Sequence, residues 1–145
     1  MIKVALDAMG GDNAPGEIVK GAVDAVNTSS ECFVYLVGQE EAVKAELAKY
    51  TYNEKQIEVV NATEVIETGE PPVMAIRRKK DSSIVKALNM VKKKEADAFV
   101  SAGSSGAILV GGQVCVDTNS ACEKFVFTLA YVLAPDVRNI NVYTF

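Results

Sequence analysis

The 145-residue chain contains no histidine, so every mechanism that relies on an imidazole base, acid or metal ligand is excluded. Cysteine is sparse: Cys32, Cys115 and Cys122 stand at irregular spacing and make neither a disulfide framework nor a zinc site. No apolar run reaches the roughly 18 residues that a membrane span needs. Met1-Ile2-Lys3-Val4 has no charged leader followed by a long apolar stretch, so no secretory signal is expected. What is present is ordinary for a globular protein: 49% hydrophobic, 23% charged and 7% aromatic residues exclude a disordered tail or a low-complexity spacer. Area scaling gives roughly 22,000 Å² of surface unfolded and about 7,200 Å² folded, enough burial for one core but thin for two. One cytoplasmic domain is expected.

The net charge of −4 conceals an asymmetry. Val73 to Lys94 holds eight basic residues (Arg77, Arg78, Lys79, Lys80, Lys86, Lys92, Lys93, Lys94) and one acid, Asp81, for a local charge of +7. The remainder is −11. A positive patch on an acidic body suits a local anionic partner and not general nucleic-acid binding. Lys92 to Lys94 read equally well as a solvated helix face. Arg77 to Lys80 form the denser run.

Strand and helix signals alternate along the chain. Ile2 to Asp7 is a short β-branched, apolar run ending at Gly10-Gly11, which reads as a buried strand and a tight turn. Asp12-Asn13-Ala14-Pro15 has the composition of a helix start. Ile18, Val19, Ala22, Val23, Ala25 and Val26 follow as its apolar stripe. Strands are expected at Cys32–Gly38, Gln56–Asn61 and Ala98–Ser101, and helices at Glu40–Lys49 and Asp81–Lys94. Ile84, Val85, Leu88 and Val91 face inward on the last of these. Gly103 and Gly106 lead into a further helix-like run. Ala62 to Ile76 reads as a long connection with a turn at Thr68-Gly69-Glu70-Pro71-Pro72. From Cys115 the texture changes: Asp117 to Ser120 resembles a loop, Phe125 to Leu133 suits helix or strand, and Asn139 to Phe145 suits a short strand. The rhythm predicts an α/β fold, a mostly parallel sheet between two helical layers. Ligands in such folds gather beyond the carboxyl ends of the strands, where both glycine-rich segments fall.

Asp7-Ala8-Met9-Gly10-Gly11-Asp12 puts two carboxylates around a glycine turn whose amides are able to approach a ligand closely. Asp12 also suits a helix cap, whereas Asp7, closing a buried strand, needs a partner. Ser101-Ala102-Gly103-Ser104-Ser105-Gly106 offers hydroxyls and amides to anionic oxygens. It lacks the Gly-x-Ser-x-Gly spacing of a nucleophile elbow and the Lys of a P-loop, and neither loop carries the full dinucleotide fingerprint. Arg77-Arg78-Lys79-Lys80 is expected where a helix begins after the Pro-Pro turn, as a fork and point charges for phosphate or acidic groups. Asp81 or Ser82 would cap that helix.

Together, Asp7 to Pro15, Glu70-Pro71-Pro72, Arg77 to Ser83 and Ala96 to Gly103 resemble the PlsX family, the bacterial acyl carrier protein:phosphate acyltransferases of phospholipid synthesis. The likeness runs from Met1 to about Val114. Ser104-Ser105 replaces the family's usual Asn-Thr, and residues 115–145 depart from its pattern. The resemblance implies the N-terminal part of an isocitrate-dehydrogenase-like three-layer fold. It implies an enzyme that moves a fatty acyl group from acyl carrier protein to inorganic phosphate, giving acyl phosphate. In that reaction phosphate is the nucleophile, so neither histidine, metal nor cofactor is required. It assigns phosphate and the oxyanion to Gly10, Gly11, Gly103, Ser104, Ser105 and Gly106, orientation to Asp7 and Asp12, and attraction of phosphate or carrier protein to Arg77, Arg78, Lys79 and Lys80. Homo-oligomerisation and, for the full-length family, peripheral membrane contact are further implications. A phosphotransacetylase-like enzyme and an inactive half-domain are the alternatives.

Overall fold

The computed structural model describes residues 1–115 and two short strands, Val126–Leu129 and Asn141–Thr144. Side chains of the first strand, β1 (Ile2–Asp7), alternate between two faces, as the pleat requires. Ala5 packs with Val37, Ala87 and Met90 on one face, and Leu6 packs with Val19, Val34 and Leu36 on the other. A core on both sides is the mark of a central parallel strand. Beyond β1 come α1 (Gly16–Thr28), β2 (Cys32–Gly38), α2 (Glu40–Leu47) and β3 (Ile57–Asn61). The chain then forms α3 (Pro72–Arg78), α4 (Ser83–Lys92), β4 (Ala98–Val100) and α5 (Ser105–Cys115).

The four strands run in the order β3-β2-β1-β4, all parallel. The expected α/β architecture is present: α1 and α2 pack on one face, and α4 packs on the other. Right-handed crossovers force this division, because the chain steps outward from β1 to β3 and then returns to the far side of β1. The reversal lies between β1 and β4, the position at which folds of this kind hold ligands beyond the carboxyl ends of the strands. The remaining strands, β5 (Val126–Leu129) and β6 (Asn141–Thr144), form a separate antiparallel pair. Each of the two sequence segments left open thus contains a strand, their other residues and the loop expected at Asp117 to Ser120 lying outside the described residues.

Three local expectations are corrected. The connection from Ala62 to Ile76 ends in a helix, because Pro72 at its first position needs no amide partner and Ala75 and Ile76 are buried. Arg77 and Arg78 therefore close α3, with Lys79 as its C-cap, and do not open α4. Ser82 caps α4 by accepting a hydrogen bond from the Val85 amide. Asp12 caps nothing: a turn closed by the Ala14 amide on the Gly11 carbonyl (3.3 Å) postpones α1 to Gly16, with Pro15 as N-cap. Lys92 to Lys94 are exposed at the end of α4, where positive charge complements the helix dipole.

The β3–α4 connection is held by charge. Asp81 accepts from the Thr63 amide (2.9 Å) and hydroxyl and pairs with Lys86 at 2.6 Å. The Lys86 ammonium, then the Thr63 donors, hold the Asp81 carboxyl far below the usual carboxylate range. A depressed folded-state pKa adds stability above the unfolded value, about 3.9, and loses it as pH falls below that value. Asp81→Asn is therefore expected to be less stable at neutral pH and to flatten the decline in melting temperature below about pH 4. Identical acid-side slopes for the two proteins would refute the assignment.

Candidate active site

Asp7 and Ser101 are the residues that follow the last paired positions of β1 and β4, Leu6 and Val100. Adjacent parallel strands bring them together although they are 94 positions apart. The Ser101 hydroxyl donates to Asp7 Oδ2 at 2.7 Å, and the Met9 amide donates to Asp7 Oδ1 at 3.1 Å. Asp7 is only 1% exposed, and these neutral donors are the partners its burial demands. Ser101 Oγ in turn accepts from the Gly103 amide at 3.0 Å. The carboxylate at the end of one strand thus orders the glycine turn at the end of its neighbour.

The two turns touch. A Cβ on Gly10 would lie 2.7 Å from the Gly103 nitrogen and 2.9 Å from Ser101 Oγ. Gly11 has φ +99° and lies against Ala102, a conformation that side chains resist. In the first turn the Ala8 and Met9 amides are bonded to Val37 and Asp7. Those of Gly10 and Gly11 have no acceptor among the described residues.

In the second turn, Ser104 Oγ accepts from the Ala107 amide at 3.4 Å and caps α5. Ser105 and Gly106 begin the helix, where amides have no carbonyl to pair with and the helix dipole favours an anion. Gly106 has a further role, since a Cβ there would meet Pro72 Cγ at 2.7 Å.

Gly10 and Gly103 therefore meet beside Asp7, Gly11 lies against Ala102, and Ser104, Ser105 and Gly106 follow the second turn into α5. The Gly103 amide is engaged by Ser101 and serves the loop itself. Asp12 is exposed after the first turn and has no hydrogen bond or ion pair among the described residues. Ser101, read from the sequence only as one hydroxyl of the second loop, is the residue that ties that loop to Asp7. Its signal was a polar side chain at the end of the strand that pairs with β1.

Among the described residues no side chain of the basic run hydrogen-bonds to these turns. Pro72 of α3 abuts Gly106, Ile76 abuts Gly111, and the charge of Lys80 reaches Cys115. Helix α3 therefore runs alongside α5 in the same direction, which puts Lys80 towards the far end of α5 and Arg77 and Arg78 on the last turn of α3, about 8–9 Å along the axis from Pro72 at 1.5 Å per residue. Lys79 is committed to the fold, paired with Glu70 and donating to the Val65 carbonyl at 2.7 Å. Arg77, Arg78 and Lys80 are exposed. Cys115 is buried; burial pushes its thiol pKa up, and Lys80 and Lys92 pull it back. Among the described residues no three acidic or cysteine side chains converge as metal ligands, and no helix is long and apolar enough to cross a membrane.

Known proteins share this sequence pattern. A phosphate acyltransferase of Clostridium acetobutylicum is 50% identical over 113 residues, covering 78% of this chain and 34% of the relative. One from Clostridium botulinum is 50% identical over 123 residues, covering 85% and 37% respectively. One from Syntrophomonas wolfei is 57% identical over 106 residues, covering 73% and 33%. The chain spans about a third of the length of these relatives. The sequence model of the family described as fatty acid synthesis protein matches residues 2–129. Its match over most of the chain identifies this protein as a member of the fatty acid synthesis protein family.

Proposed function

We propose that this chain supplies the phosphate-holding part of a phosphate acyltransferase, which moves a fatty acyl group from acyl carrier protein to inorganic phosphate in the cytoplasmic synthesis of phospholipid. The observation that carries this reading is the contact of two glycine turns at the switch point between β1 and β4. Amides of Gly10, Gly11, Ser105 and Gly106, with the Ser104 and Ser105 hydroxyls, suit a tetrahedral oxyanion. A phosphate oxygen attacks the thioester carbonyl, the C–S bond breaks, and the carrier's thiol leaves with a proton. The chemistry needs a held dianion and donors for the developing oxyanion, and not a covalent enzyme intermediate. Asp7 orients the second turn through Ser101, and Asp12 borders the first.

The exposure of Arg77, Arg78 and Lys80 at the end of α3 favours the acidic carrier protein over phosphate as their partner. Each exposed charge pair contributes about 0.7 kcal/mol, so Arg77→Ala with Arg78→Ala is expected to weaken carrier-protein binding about tenfold at low salt. The difference should shrink as salt rises. Phosphate binding, followed by ³¹P line broadening, should stay at its wild-type level. Unaltered carrier affinity and salt response would remove the arginines from the site. Failure of the wild-type chain to broaden the phosphate line would overturn the reading of the glycine turns.

A further inference from the structure

Glu70 and Lys79 take no part in the chemistry proposed above. Glu70 opens the Glu-Pro-Pro sequence before α3, and Lys79 is the C-cap of that helix. Lys79 is half-buried, unlike its exposed neighbours Arg78 and Lys80, because its ammonium reaches back to the segment before α3. There it donates to the Val65 carbonyl at 2.7 Å and pairs with Glu70 Oε1. The same oxygen accepts from the Glu67 amide at 2.7 Å, and the Glu70 amide donates to the Glu67 carbonyl at 3.3 Å. One ammonium therefore holds both ends of the stretch from Val65 to Glu70 and ties it to the far end of α3. Ile66 of the same stretch is buried in the cluster that holds Ile76, Ala107 and Ile108, so this unit packs directly against α5.

The residue that the unit sets in place is Pro72. Prolines at 71 and 72 fix φ at both residues, so the position of Glu70 passes through a stiff link to the Pro72 ring. That ring fills the space beside Gly106, where a Cβ would lie 2.7 Å from Pro72 Cγ. Gly106 belongs to the first turn of α5, whose amides the proposed function gives to phosphate. We propose that Glu70 and Lys79 are positioning residues for the phosphate-holding turn, acting through the contact of Pro72 with Gly106. This rests on the reading of the glycine turns as a phosphate site. Their side chains keep 28% and 29% exposure, and ion pairs this open to water add little to overall stability. The pair acts on local geometry, with two donors converging on one carboxylate oxygen. Its opposite charges also separate positioning from direct attraction. If Lys79 drew phosphate by its charge, removing the Glu70 charge would tighten binding; if the pair sets Pro72, removing either charge weakens it.

The test titrates the full chain with inorganic phosphate, read by ³¹P line broadening well below the melting temperature of each protein. Lys79→Met and Glu70→Gln are each expected to weaken phosphate binding about tenfold, at the low end for residues that orient ligand-binding groups. Their combination should lose no more than either alone, because both break one link. Pro72→Ala should reproduce the loss with the ion pair intact, and it carries the test if Lys79→Met does not fold. Lys86→Met breaks the comparable pair with Asp81 in the β3–α4 connection; it should lower the melting temperature and leave phosphate affinity unchanged. Wild-type phosphate affinity in both Glu70→Gln and Pro72→Ala overturns the proposal. So does tighter binding by Glu70→Gln, which would assign Lys79 to direct attraction, or an equal loss in Lys86→Met, which would make the effect one of stability alone. A wild-type chain that leaves the phosphate line sharp overturns the reading of the glycine turns, and this proposal with it.

Discussion

Gly10→Ala is expected to separate the two glycine turns and abolish phosphate binding. The added methyl would stand 2.5 Å from Asp7 Oδ2 and 2.7 Å from the Gly103 nitrogen. Neither neighbour is the free end of a flexible side chain: one is a hydrogen-bonded, buried carboxylate and the other is backbone. Overpacking of this kind costs about 1–3 kcal/mol, or roughly 4–10 °C in melting temperature for a domain of this size. Displacing Gly103 also carries the start of α5 away from the first turn, so loss of ³¹P broadening should accompany the loss of stability. Gly21→Ala is the control, because a Cβ there meets nothing within 4 Å and a mid-helix glycine gives up about 0.5–1 kcal/mol relative to alanine. That variant should melt higher and bind phosphate as before. A Gly10→Ala protein with unchanged melting temperature and phosphate affinity would refute the close contact of the turns.

Ser101→Ala is expected to lower stability by about 2 kcal/mol, because a hydrogen bond to a charged group contributes roughly 1.5–3 kcal/mol and its loss leaves buried partners unsatisfied. Two groups lose their partner at once: the Asp7 carboxylate loses its hydroxyl donor and the Gly103 amide loses its acceptor. Asp7→Asn should be costly for the same reason. Combining the two substitutions should cost less than their separate losses added together, by roughly 0.5–3 kcal/mol, since both break one network. Urea titration of the four proteins measures this coupling directly. Strict additivity would mean that Asp7 and Ser101 act independently, and the ordering of the second turn by the first strand would have to be abandoned.

Much of the architecture is legible in short stretches of the chain. β1, β2 and β4 announce themselves as apolar β-branched runs, and α1 and α4 as apolar stripes of helical period, because these patterns reflect burial of one local face. The glycines at 10, 11 and 103 mark turns for an equally local reason. Helix α3 escaped such reading because seven residues give a period of 3.6 too few repeats, and its opening prolines look like a turn. The exposure of Ala25 escaped it as well. Spacing alone puts this residue on the stripe, but whether the stripe is covered there depends on how far the neighbouring strands extend beneath α1.

Local sequence thus determined which segments are strands, which are helices, and which loops have the glycine to approach an anion. Tertiary structure decided which loops meet. Asp7 reaches Ser101 only because the return from β3 brings β4 to the open side of β1, a choice made by sheet packing and crossover handedness across 94 positions. The same packing set α3 parallel to α5 and so placed the arginines on its last turn, beyond Ile76. No pattern within either segment encodes that outcome, because helix register is decided by the shapes of two buried faces pressed together: Gly106 against Pro72, and Gly111 against Ile76 and Leu88.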